Sequence, residues 1–179
     1  MRRVAPIVVI VLAGCGVSAV PRPHRRAPSK IAVAQADHEY PAPAPPRQPV
    51  NAAASSPSAA VAAFARDYIN WTADSVARDM AALAARSIGQ ARAAAQLAAA
   101  ETAADYELHR DGIANSGAVE AIAPLPGGAH QFVVVTRERT TATGTSAYQG
   151  LQPAWHVAIA TVSDVGAAGW VVSGWQPQS

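Results

Sequence analysis

The stretch 155-WHVAIATVSDVGAAGWVVSGW-175 decides the fold of this chain. Its first half alternates Trp155, Val157 and Ile159 with His156, Ala158 and Ala160, the two-residue period of a β-strand. Its second half, Trp170-Val-Val-Ser-Gly-Trp175, reads as another strand. Only a short turn, 164–169, separates them, so the two must run antiparallel. Working upstream, Phe132-Val-Val-Val-Thr136 opens a strand predicted over 132–143, and 116–125 alternates around Val119 and Ile122. Pro126-Gly-Gly128 and the segment 144–150 supply the turns between them. Four strands joined in sequence make a meander.

The region before the strands has a helical period. Val61, Phe64, Tyr68 and Trp71 fall at steps of three, four and three, one stripe of an amphipathic helix that Pro57 and Ser58 suit as a start. Residues 70–74 break it. Asp74 or Ser75 caps a second helix with Val76, Met80 and Leu83 on its apolar face. Ser87 and Gln90 fit a capping box for a third, Ala-rich helix running to about Tyr106, with Leu97 as its one large apolar residue. The expectation is an α+β domain over residues 58–179: three helices packed on one face of a curved four-stranded antiparallel sheet.

Phe64 and Tyr68 on the first helix, the order of three helices and four strands, and the closing Gly169-Trp170-Val171-Val172 resemble the cone-shaped nuclear-transport-factor-2-like superfamily. By layout the chain is similar to two extracytoplasmic groups: assembly factors of type IV secretion and conjugation machines, and mammalian-cell-entry-associated proteins of actinobacteria. The resemblance implies a membrane-tethered, non-catalytic protein-interaction domain serving an envelope machine. It also implies a cone that can hold a pocket, since some relatives are isomerases or dehydratases. A lipobox departs from the secretion-type members, which use a transmembrane helix.

The N-terminus reads MRRVAPIVVIVLAGC: basic Arg2 and Arg3, an apolar run, and Leu12-Ala13-Gly14-Cys15. This resembles a bacterial lipoprotein signal over residues 1–15, with acylation of the Cys15 thiol. Cys15 is the only cysteine, so no internal disulfide can form. A plain transmembrane helix is the alternative, because residues 4–20 carry no charge. Residues 16–57 hold nine of the fourteen prolines and read as a disordered Pro/Ala-rich linker. If flexible, such a linker spans about 35–40 Å. The basic side chains sit before the domain, while residues 58–179 carry seven Arg against ten acidic groups, which argues against nucleic-acid binding. The expected setting is the extracytoplasmic face of a membrane, with other envelope proteins, or a second copy of the chain, as partners.

Chemistry in the cone would need an acid or base facing the cavity. Asp67, Asp105, His156 and the run Arg137-Glu138-Arg139 are the candidates. If Trp155 faces the core, His156 faces out; the opposite register turns His156 into the pocket. Arg137 and Arg139 share one strand face and Glu138 the other. Tyr68, Trp71, Arg137, His156 and Trp175 are the candidate pocket or interface residues, Trp175 as a contact on an open sheet edge. His109 with Asp105 or Asp111 has the residue types of a metal site but no recognised spacing, so no metal, cofactor or catalytic set is expected. The alternative function is a lipoprotein that binds a small apolar ligand, or an enzyme built on the same cone. An enclosed cavity above about 300 Å³ lined by Tyr68, Trp71 and an inward His156 would favour a ligand or an enzyme. A cone filled by Phe64, Leu83 and Val134 would favour a protein partner.

Overall fold

The structure, a computed structural model, describes residue 50 and residues 53–178. The expected anchor, Cys15 and most of the linker lie outside these residues. Among the described residues no helix is long and apolar enough to cross a membrane.

Helix α1, Pro57–Ile69, starts where the sequence places it: Pro57 opens it, and the Ser56 hydroxyl accepts from the Ala59 amide at 3.2 Å. It buries Val61, Phe64, Ala65 and Ile69 on one face. The predicted stripe stops short of Trp71. Asn70 ends the helix, its Nδ2 donating to the Arg66 carbonyl at 2.8 Å. The same side chain then imitates a strand partner for Gly117, accepting from its amide at 3.0 Å and donating to its carbonyl at 3.2 Å. This lays Trp71–Thr72 along Asn115 and Ala114 as a short strand, β1. The sheet therefore has five strands where four were expected.

Helix α2, Val76–Ala85, buries Val76, Met80, Leu83 and Ala84. Helix α3, Gly89–Ala103, meets it through Ala91 and Ala95, while Leu97 is exposed. The capping box does not form. Ser87 is buried and its hydroxyl donates backwards to the Leu83 carbonyl at 2.9 Å. Gln90 reaches the sheet instead, its Oε1 accepting from the Trp175 amide at 2.8 Å. Nor does α3 run on to Tyr106. Asp105 starts a fourth helix, α4 at Tyr106–Asp111, by accepting from the Leu108 amide at 3.0 Å.

The remaining strands are β2, Ala114–Pro124; β3, Gln131–Thr141; β4, Ala154–Asp164; and β5, Trp170–Gln178. The sheet is antiparallel throughout, in the order β1-β2-β3-β4-β5, and curls into a half-barrel against the helices. Register shifts at Val119/Ala121 and Thr161/Val162 mark irregularities of the kind that bend strands. Ordered pairing begins earlier than residue 58. Ala54 and Trp170 exchange two backbone hydrogen bonds of 2.8 Å. Gly169, at φ 104°, permits this close approach, because a Cβ there would strike the Ala54 carbonyl oxygen.

The face that β4 turns to the helices is the even-numbered one. Ala158, Ala160 and Val162 are buried, and Trp155 is 63% exposed on the outer face. The small alanines leave room above them, and larger rings fill it. Trp175, paired with Ala160, turns inward from edge strand β5 and is only 6% exposed, so it makes no contact on an open edge. Its ring centroid lies 5.1 Å from Phe64 and 5.3 Å from Tyr68, and Phe64 stacks on Tyr68 at 6.0 Å. Tilted and stacked pairs of this kind add about 0.5–1.5 kcal/mol each beyond the apolar area they bury. The Trp175 Nε1 has no hydrogen-bond partner among the described residues.

Candidate functional site

The space between helices and sheet is filled at one end and open at the other. At the filled end Phe64, Leu83 and Val134 are each at most 5% exposed. At the other end a cleft of about 470 Å³ opens to solvent. Tyr68 joins the two ends: it packs on Phe64 and Trp175 and also lines the cleft. Trp71 enters the cleft because α1 stops at Ile69 and β1 redirects the chain. His156 enters because β4 takes the register that buries Ala158 and Ala160. Helices α2 and α3 contribute Met80 and Thr102, and the segment between β3 and β4 closes one side with Tyr148 and Leu151.

A hydrogen-bonded unit sits on the sheet side. Asn115, buried on β2, donates through Nδ2 to the Ile69 carbonyl and to Glu138 Oε2, both at 2.8 Å. Its Oδ1 accepts from Thr140 Oγ1 at 3.2 Å. Thr136 Oγ1 donates to the other carboxylate oxygen, Glu138 Oε1, at 2.5 Å. Glu138 is thus held by both oxygens, half-buried, on the cleft wall. No Arg or Lys makes an ion pair with it among the described residues. Burial pushes the Tyr68 phenol above its ordinary pKa, and the nearby Glu138 charge adds to the shift. Tyr68 therefore stays a neutral hydroxyl at physiological pH.

The expected site residues separate into groups. Tyr68, Trp71 and His156 come together around the cleft. Arg137 lies on the opposite face of β3, where its guanidinium carbon stands 5.9 Å from the ring centre of Trp155. Trp175 belongs to the packed end. Asp67 is away from the cleft and pairs with Arg86 at 2.7 Å and Arg66 at 3.3 Å. It lines a second, larger depression of about 630 Å³, whose lining has no aromatic ring. The polar patch around α4 is structural: Asp105 caps, His109 Nε2 lies 3.2 Å from the Thr102 carbonyl, and Asp111 binds Arg110 at 2.8 and 2.9 Å. The Arg110 guanidinium holds the Asp111 carboxyl below the usual carboxylate range.

Asn115, Tyr148 and Leu151 were not legible as site residues. Asn115 is an isolated polar residue in a strand, and 144–150 reads only as a loop. Glu138 carried one signal, its placement on the strand face opposite Arg137 and Arg139. Compared with known proteins, the sequence matches no family model and no curated protein.

Proposed function

We propose that the folded domain is a non-catalytic binding module that takes a small, largely apolar ligand into the open end between helices and sheet. One observation carries this reading: the cleft of about 470 Å³ lined by Tyr68, Trp71 and His156. That volume is in the range of ligand sites, and apolar walls with a few placed polar groups are their usual composition. The His156 imidazole makes no side-chain hydrogen bond among the described residues, so no oriented acid–base pair accompanies it. The domain is carried by a signal and linker that, on the lipobox resemblance, hold it on the outer face of a membrane through acylated Cys15. Lipid labelling that persists in Cys15→Ser would contradict the lipid anchor.

The direct test is ligand-observed NMR with a library of small aromatic and amphipathic molecules and the full-length protein in constant detergent. Ala154 lines the cleft opposite Glu138 in register and is exposed, so Ala154→Trp fills the space without entering the packed end. Molecules that bind the wild type and are lost in Ala154→Trp support the reading; none that does so removes it. A second reading, a scaffold for other envelope proteins of the nuclear-transport-factor-2-like kind, is favoured by Phe64, Leu83 and Val134 filling one end of the cone and by exposed Trp155 and Val157 on the outer sheet face.

A further inference from the structure

Resting on the ligand-binding reading above, the geometry points to an organic cation, an ammonium group on an apolar body, as the occupant of the cleft. A half-buried carboxylate is normally paired with a cation or neutralised. Glu138 has hydrogen bonds from Asn115 and Thr136 instead, both from neutral donors. An ionised carboxylate offers about four acceptor positions, so these two bonds orient it and leave capacity facing the cleft. Its sequence neighbours Arg137 and Arg139 cannot serve as its partners, because β3 turns them to the other face. Among the lining side chains Glu138 is the only carboxylate, and no Arg or Lys lines the cleft.

The aromatic rings agree with the charge. Tyr68, Trp71 and Tyr148 border the same cleft. Ring faces attract ammonium groups and do so more strongly where water is partly excluded. Glu138 also lies near enough to Tyr68 for its charge to add to the rise that burial produces in the phenol pKa. Met80, Val76 and Leu151 supply the apolar wall for the rest of the molecule. An anionic ligand would meet the carboxylate with no Arg or Lys in the lining to offset it. A neutral apolar ligand would leave that carboxylate uncompensated under it.

Three probes of nearly one shape separate these cases: benzyltrimethylammonium, its neutral carbon isostere neopentylbenzene, and the anion phenylacetate. Binding to the full-length protein is read by tryptophan fluorescence at low ionic strength, with detergent constant. The cation should bind about tenfold or more tightly than the neutral isostere, and phenylacetate should not bind. In Glu138→Gln the cation should lose most of its advantage over the isostere, while the isostere should keep its own affinity. Equal or tighter binding of neopentylbenzene to the wild type overturns the cation assignment and leaves the pocket reading standing. Failure of all three probes to bind overturns both. The comparison on wild-type protein needs no variant, so a folding defect in Glu138→Gln does not blunt it.

Discussion

The two ends of the helix–sheet interface are built from the same elements and do different things. Helix α1 gives Phe64 to the filled end and Tyr68 to the open one. Strand β3 gives Val134 to the first and Glu138 to the second, and β4 gives Ala160 and His156. One turn of helix, or four residues of strand, separates packing from a cleft. The difference lies in side-chain type: at the filled end apolar groups meet apolar groups, whereas at the open end aromatic rings border the same cleft as a carboxylate held by its neighbours. Stability should reside at the first end and binding at the second.

The largest effect expected is at the filled end. Leu83 is 1% exposed, and Leu83→Ala should cost about 2–5 kcal/mol, read as the shift in denaturation midpoint. A cost below about 0.5 kcal/mol would mean this end is not the core. Gly169→Ala should cost about 1–3 kcal/mol, because it strains a positive φ and drives a methyl into the Ala54 carbonyl. If it is neutral, the Ala54–Trp170 pairing does not belong to the folded unit. Asn115→Ala should also cost about 1–3 kcal/mol, since it frees the Ile69 carbonyl and one oxygen of Glu138. In contrast to Leu83→Ala, it should also change binding, because Glu138 loses a fixing bond.

The smallest effect is spectroscopic. A tyrosine titration above the ordinary range should be seen and should vanish in Tyr68→Phe. Glu138→Gln should move it part of the way down, burial being the larger cause. Tyr68 has a raised folded pKa, so its contribution is fully present below the unfolded value near 10 and is lost as pH rises through the folded value. A Tyr68 that titrates like an exposed phenol would mean the open end is wider than the cleft described.

The helix stripe and the strand period made the α+β architecture legible from sequence, because each sees one neighbour layer at a time. The edge strand at Trp71 was not legible, since it depends on Asn70 reaching Gly117, 47 residues away. The register of β4 was left open because both of its faces offered apolar residues, Trp155 and Val157 on one and Ala158 and Ala160 on the other. Bulk suggests that tryptophan goes inside. The structure reverses this because Trp175 and Phe64 take up the space above the alanines. His156 reaches the cleft by the same reversal. Glu138 could be assigned a face from its neighbours, but its two fixing bonds come from Asn115 on another strand and Thr136 on its own, and only the folded sheet shows both.

Chemical-shift mapping of the full-length protein with a bound library molecule tests the central division most directly. The shifts should concentrate at the Trp71 indole and at the amides of Thr102, Thr140 and His156, with Val134 and Ala160 unmoved. Shifts concentrated instead on Trp155, Val157 and Ile159, across the sheet, would contradict it.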